Sequence, residues 1–393
     1  MIMTSFARLF SIAALLMGAV VVYAGGVDFT AISSWSQALD LAKKANKPIF
    51  LDAYTDWCGW CKVMDTKTFA DPKVAAFMNE HFVNVKMEME TGEGVDVAMK
   101  YRISSFPTFK VFAVDGTPTY TVFGYQDPDS WLKTLEMMVD PSKAQIAKGV
   151  SSQLDLAWPS WHRGAFLKGK SRKMPDAGVV QEWFAQQQDK YSEVAWSIVM
   201  KYNLTEEQSS WILAHEANYR ALYGTEFDGF VQRYAQATIG NAIKQKDRPL
   251  LDRATQLMVN IVPEQADAIR LRVQGMYHQS NGEWTELSLL VERASQSAST
   301  TADIVNDFAW SMYEKCGDNA ALLKAADAMK RKVVDLDVSD WAFVDTYAAL
   351  LYKTAQLEEA ERQALRAIAM GKESEADVTE TQALLVKIRA AKK

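Results

Sequence analysis

Cys58-Gly59-Trp60-Cys61 is the stretch of this chain whose residue types and spacing could do chemistry. Two cysteines separated by two residues can close a small disulfide within one turn, or open to a dithiol. The preceding run, Pro48-Ile49-Phe50-Leu51-Asp52-Ala53-Tyr54, is short and apolar and reads as a buried strand. The residues that follow read as a helix. Cys58 would then stand at a helix N-terminus, where free backbone N–H groups and the positive end of the helix dipole favour a thiolate. In that reading Cys58 is the exposed attacking thiolate and Cys61 the more buried resolving thiol. The same spacing also fits half of a zinc site or a purely structural disulfide. A zinc site needs two more ligands. Cys316 is alone and distant, and the 4 histidines show no ligand spacing, so no metal is expected and there is no reason to expect an organic cofactor.

Composition bounds the remainder. A chain of 393 residues suggests two or three domains. Its 49% hydrophobic and 23% charged content is that of a globular protein. With 43 basic against 49 acidic residues, net −6, it lacks the basic footprint of a nucleic-acid binder. Three cysteines exclude a disulfide-stapled scaffold.

The N-terminus has the layout of a secretory signal peptide. Arg8 precedes the apolar run Leu9 to Tyr23, which ends in Val22-Tyr23-Ala24 and Gly25-Gly26. The run falls short of the roughly 20 residues that span a bilayer comfortably. A cleaved signal over 1–24 is expected, with an uncleaved N-terminal membrane anchor as the alternative. The mature protein is thus expected in the periplasm or otherwise exported, in an oxidising compartment.

The chain divides near residue 141. Within 25–141, Trp35 to Lys47 reads as an amphipathic helix and Pro48 to Tyr54 as the first strand. A long helix is expected from Cys58 to about Asn79, with the stretch opened by Asp71-Pro72 as a candidate separate helix. Phe82 to Met89 alternates as a second strand; Met87 and Met89 read as its core residues and not as a copper site. Gly94 to Tyr101 reads as helical. Thr108 to Val114, the turn Asp115-Gly116 and Thr119 to Phe123 form a hairpin, and Asp129 to Val139 a closing helix. That order predicts an α/β domain with a central mixed sheet flanked by helices. From 142 to 393 strand signals nearly vanish, and an all-α domain is expected.

These residues resemble the thioredoxin superfamily over about 110 residues. Besides the two cysteines, the resemblance rests on Asp52 six residues before Cys58, on Ile103-Ser104-Ser105-Phe106-Pro107-Thr108, and on Gly124. The run Lys47 to Asp52, Asp56-Trp57-Cys58-Gly59-Trp60-Cys61-Lys62, Met64 and Thr68-Phe69-Ala70-Asp71-Pro72-Lys73-Val74 is similar to an exported subgroup. That subgroup includes the C-terminal domain of the membrane disulfide reductase supplying electrons to the periplasm. The resemblance implies a thiol–disulfide oxidoreductase in which Asp52 lies buried beneath Cys61 and serves its proton transfer, and in which Pro107 is cis. Two departures stand out: Trp60 replaces the proline of thioredoxin, and Thr66 stands where the long helix of thioredoxin is kinked by proline.

On this reading the Cys58 thiolate attacks a substrate disulfide, and Cys61, helped by Asp52, resolves the mixed disulfide. A carboxylate buried near a thiol should have a raised pKa. The backbone of Phe106 is expected to pair with a substrate strand. Trp57, Gly59, Trp60, Phe106 and Pro107 are the candidate substrate-binding residues, with Phe106, Trp57 and Trp60 as an apolar rim. Lys62 and Asp56 read as solvated charges, and Cys316 as a small buried hydrophobe. The basic stretch from Trp161 to Lys173 reads as a solvated loop, with a docking patch as its alternative.

The helical half weakly resembles tetratricopeptide repeats at about 265–370. Ala309, Met312, Tyr313, Ala321, Ala325 and Ala328 align with Ala348, Leu351, Tyr352, Ala360, Ala364 and Ala367, each 39 residues on. The usual period is about 34. Gly275, Tyr277, Gly282-Glu283-Trp284 and Leu290 suggest an earlier unit, and residues 142–260 show no repeat. Helical stacks present extended concave surfaces that bind protein segments. The expected partners are protein or peptide disulfides, a membrane-bound thiol electron donor and a protein held by the helical domain. The competing reading is a non-enzymatic binding or redox-sensing module, with the thioredoxin-like domain as a docking platform.

Overall fold

The computed structural model describes residues 25–146, 148–297, 300–334 and 340–393. The expected signal segment, 1–24, lies outside the described residues. The first elements run α1 (Trp35–Ala45), β1 (Ile49–Tyr54), α2 (Gly59–Val63), α3 (Pro72–His81), β2 (Val83–Glu88), α4 (Gly94–Lys100), β3 (Thr108–Phe112), β4 (Pro118–Phe123) and α5 (Pro128–Val139). The strands form one mixed sheet in the order β2-β1-β3-β4. β1 is parallel to β2 and antiparallel to β3, and β4 is antiparallel to β3.

Why β1 takes the centre follows from its composition. Ile49, Phe50, Leu51 and Ala53 leave nothing exposed, which suits a strand covered on both faces. On one face Phe50 meets Phe69, Phe82, Phe109 and Trp131, all buried. On the other, Trp35, Tyr101 and Phe112 pack edge to face. Each such ring contributes roughly 1.5–3 kcal/mol by leaving water. Gly94 opens α4 where a Cβ would fall 1.8 Å from the Glu88 carbonyl oxygen. Only glycine lets that helix start against the end of β2.

The single helix expected from Cys58 to Asn79 is broken. After α2 the chain makes a wider π-helical turn over Met64–Thr68, with the Phe69 N–H donating to the Met64 carbonyl at 2.8 Å. Thr66, at the place of the missing proline, donates its hydroxyl back to the Lys62 carbonyl at 2.9 Å. Such back-bonding competes with the regular helical ladder. The Asp71-Pro72 start is real: Asp71 caps α3 by accepting from the Lys73 and Val74 N–H groups.

The compact unit holding the sheet extends to Phe227, past the expected boundary at 141. It includes α6 (Ala177–Gln186), α7 (Glu193–Lys201), α8 (Glu206–Ala214) and α9 (Glu216–Tyr223). Buried charges tie these residues to the sheet domain. Lys100 is fully buried and pairs with Glu193 of α7, whose other oxygen accepts from the Ser151 N–H and hydroxyl at 3.0 and 2.8 Å. Arg102 pairs with Glu226 at 2.6 Å. Lys110 donates to Thr121 at 2.7 Å, and burial pushes its ammonium down to about 8. Removing one partner of a buried pair costs about 3–5 kcal/mol, because the other is left uncompensated. Lys100→Met should therefore lower unfolding stability by that amount in denaturant titrations, and Lys100→Met combined with Glu193→Leu should recover most of it.

Among its described residues the second unit, Asp228–Lys393, contains helices joined by turns and no strand. It contains most of α10 (Glu226–Gln245), then α11 (Arg248–Ile261), α12 (Ala266–Asn281), α13 (Trp284–Gln296), α14 (Ala302–Lys315), α15 (Asn319–Met329), α16 (Trp341–Lys353), α17 (Leu357–Glu373) and α18 (Thr379–Ala391). The residues aligned by the 39-residue offset occupy successive helical hairpins. Ala309 and Ala348 lie on α14 and α16; Ala321, Ala325 and Ala328 on α15 match Ala360, Ala364 and Ala367 on α17. All are buried in one core. Gly275 on α12 lies where a Cβ would meet the Phe308 ring at 2.1 Å, so the small residue sets the approach of α12 to α14. Cys316 is buried in the same core, and burial pushes its thiol up.

Candidate active site

The site grows out of the end of β1. Cys58 has extended backbone and caps α2; its Sγ accepts from the Cys61 N–H at 3.0 Å. In the dithiol form that N–H would stabilise a Cys58 thiolate, since charge-assisted hydrogen bonds are the strong ones. Here the two cysteines form a disulfide with their Cα atoms 5.4 Å apart. The expected difference in exposure is absent: Cys58 and Cys61 are each 3% exposed. Gly59 and Trp60 lie outside, and no part of a Cβ at Gly59 would meet a neighbour within 4 Å.

Asp52 lies on β1 opposite Lys86 of β2 and is 1% exposed. The Lys86 ammonium stands 3.0 Å from Asp52 Oδ2, off the direction of a proper hydrogen bond, so the contact is an ion pair without aligned donation. Burial raises the Asp52 carboxyl to about 6, with Lys86 pulling the other way. Lys86 also pairs with Asp65 on the helical run that begins at the cysteines. Burial works against the Lys86 charge, but Asp52 and Asp65 together hold its ammonium above the usual lysine range. Lys86 thus connects the strand acid to the segment four residues beyond Cys61. It was not singled out in the sequence, although its place in the β2 alternation, beside Asp52, was a usable signal.

The rim residues converge. The Phe106–Pro107 peptide is cis, and the Pro107 carbonyl accepts from Gly124 N–H at 2.9 Å just after β4. Pro107 is buried, and Phe106 is half-buried with its ring edge to face against Trp57, centroids 5.9 Å apart. Trp57 and Trp60 are each 60% exposed, and Trp60 stacks on Tyr125 at 5.3 Å. Tyr125 extends the apolar rim beyond the motif residues, and Phe123, at the end of β4 two residues before it, is exposed. Trp57 donates its indole N–H to Glu90 Oε2 at 2.8 Å. Asp56 is exposed as expected yet pairs with Lys168 at 2.6 Å. Among the described residues no group of three His, Cys, Asp or Glu side chains is placed to hold a metal.

A central mixed sheet, a cysteine pair at the first turn of the helix after β1, a buried strand acid and a cis-proline loop define a thioredoxin-like domain with a disulfide-forming pair. Comparison agrees. Residues 27–112 match the protein-family model Thioredox_DsbH, described as a protein of unknown function, DUF255. Over 89 residues, 22% of this chain, the sequence is 34% identical to the thiol:disulfide interchange protein DsbD of Vibrio vulnificus, of whose length that match covers 15%. Over 63 residues, 16% of this chain, it is 41% identical to spermatogenesis-associated protein 20 of Rattus norvegicus, covering 8% of that protein. The oxidised C-terminal domain of DsbD from Neisseria meningitidis is 28% identical, with TM-score 0.25, covering 28% of this chain and 96% of that one. Residues 27–112 thus form a thioredoxin-like domain similar to those of the DsbD and DsbH type, and the chain spans only a small part of the length of the curated relatives it matches. No described helix is long and apolar enough to cross a membrane.

Proposed function

We propose that the protein is an exported thiol–disulfide oxidoreductase that reduces or isomerises protein disulfides through Cys58 and Cys61. The observation that carries this reading is the cysteine pair bonded across the start of α2, after a strand that carries a buried acid with a carboxyl raised to about 6. In reduction, the Cys58 thiolate attacks one substrate sulfur, forms a mixed disulfide and expels the other sulfur as a thiolate. The Cys61 thiol gives its proton to Asp52 and attacks Cys58 Sγ. The Cys58–Cys61 disulfide forms, the second substrate thiolate leaves, and two electrons have passed to the substrate. An acid poised near 6 can accept that proton near neutrality.

Trp57, Trp60 and Phe106, with Phe123 and Tyr125, would receive apolar segments of a substrate around the cysteines. A membrane-bound thiol donor would return the pair to the dithiol, and the second, helical unit would hold a partner or substrate protein. The N-terminal apolar run supports export, by cleaved signal or anchor. The burial of both cysteines favours a second reading, in which the pair is a redox sensor on a docking platform. Insulin reduction in dithiothreitol separates the two. Catalysis above the dithiothreitol rate supports the enzyme; equal rates with and without the protein support the platform.

A further inference from the structure

The basic stretch expected to be a solvated loop is a built element of the redox site. It closes on itself: Lys173 N–H donates to the Gly164 carbonyl at 2.8 Å, and Arg172 Nε to the Leu167 carbonyl at 3.1 Å. Its root is a fully buried His162, bonded to the Tyr202 hydroxyl at 3.0 Å and surrounded by Trp158, Trp161 and Phe166. From that root the loop lays three cations on acidic side chains, two of which lead to the residues just before Cys58. Arg163 pairs with Asp96 and donates to the Gly92 carbonyl at 3.0 Å. Lys168 pairs with Asp56, two residues before Cys58. Arg172 pairs with Glu90, a 3%-exposed carboxylate whose other oxygen holds the Trp57 indole. A chain of contacts therefore runs from the loop through Glu90 to Trp57, next in sequence to Cys58.

Charge is the consequence. Residues 163–173 carry Arg163, Lys168, Lys170, Arg172 and Lys173 and no acidic residue. Three of these neutralise Asp96, Asp56 and Glu90. Lys170 and Lys173 remain exposed, so the loop offsets the charge of an edge that also carries Glu88 and Glu93, and presents two further ammonium groups to solvent. Charge of one sign at the mouth of a site raises the local concentration of the opposite sign.

We propose that the loop 163–173 is a fixed wall of the substrate site that selects disulfides whose cysteines are flanked by acidic residues. Glu90 and Arg172 act as positioning residues for Trp57, and Lys170 and Lys173 supply the selecting charge. The proposal deepens the oxidoreductase reading and depends on it.

The test uses the mature full chain, dithiothreitol as electron source, and two synthetic peptides with one intramolecular disulfide, identical except for Asp-Asp or Lys-Lys beside a cysteine. Each kcat/KM is corrected for the dithiothreitol background and expressed as an acidic-to-basic ratio. Exposed charge pairs are each worth a few tenths to one kcal/mol, so wild type should favour the acidic peptide by about threefold to tenfold. Lys170→Glu combined with Lys173→Glu, two exposed changes, should invert the ratio. Raising salt from about 0.05 to 0.5 M should flatten the wild-type ratio by screening, a readout independent of any variant. A wild-type ratio of one, or a ratio unchanged by the double substitution, overturns the selecting role while insulin is still reduced. Loss of turnover on insulin and both peptides sinks the oxidoreductase reading with it.

Discussion

Cys58→Ser should bring insulin reduction down to the rate of dithiothreitol alone, because the attacking thiolate is gone and Cys61 without it has no partner with which to close the internal disulfide that releases product. Serine retains the cap geometry of α2, since its hydroxyl can accept from the Cys61 N–H as Cys58 Sγ does. Lost folding is therefore not the expected cause, and an unchanged unfolding curve would show that. Cys61→Ser should behave differently. The mixed disulfide still forms at Cys58 but has no internal thiol to release it. The variant should accumulate a covalent adduct with insulin, seen as added mass on a non-reducing gel and removed by excess reductant. If Cys61→Ser turns over like wild type, Cys61 is not the resolving residue.

Asp52→Asn should stabilise the folded protein while slowing it. The unfolded carboxyl ionises around 3.8, whereas the folded one waits until about 6. Between those values the unfolded chain has released a proton that the folded chain retains, so raising the pH favours unfolding. The wild type is then at its best with respect to this group below about pH 4, and the deficit is complete above about pH 6 to 7. A difference of about two units at about 1.4 kcal/mol each gives roughly 2–3 kcal/mol. Asp52→Asn should gain that much over wild type at pH 8 and almost nothing at pH 4, measured by denaturant unfolding at both. Lys86 retains Asp65 as a partner in the variant, which limits the penalty of removing its first one. Turnover at pH 7 should fall by about tenfold to a hundredfold through loss of the proton acceptor. A variant that is no more stable at pH 8 than at pH 4, relative to wild type, would mean that Asp52 does not carry a raised pKa.

Much of this was legible in the sequence because short-range rules governed it. The apolar run before Cys58 had to be a buried strand, and Asp71-Pro72 had to start a helix, since an acceptor and a fixed φ at a first turn serve little else. Asp115-Gly116 between two alternating runs had to turn a hairpin. The offset of 39 placed Ala309 and Ala348, and the alanines of α15 and α17, at matching buried positions. What escaped was set by distant partners. The π-helical turn after α2 comes with a Thr66 hydroxyl bond that spacing does not reveal. Lys86 and Glu90 matter through residues far along the chain, Asp65 and Arg172 among them. The stretch from Trp161 to Lys173 looked solvated because its charges dominate its composition, and the acids that hold it lie in the other part of the same unit. Cys58 looked exposed because it is the attacking residue, yet in the disulfide it is as buried as Cys61.

The most direct measurement is the redox equilibrium of the Cys58–Cys61 pair in graded glutathione buffers, followed by tryptophan fluorescence, since Trp57 and Trp60 bracket Cys58. A single two-electron transition near −250 mV or lower is expected, placing the pair among reductants that draw on a thiol donor. A value near −150 mV or higher would reverse the direction of electron flow, and the absence of any transition would contradict the oxidoreductase function itself.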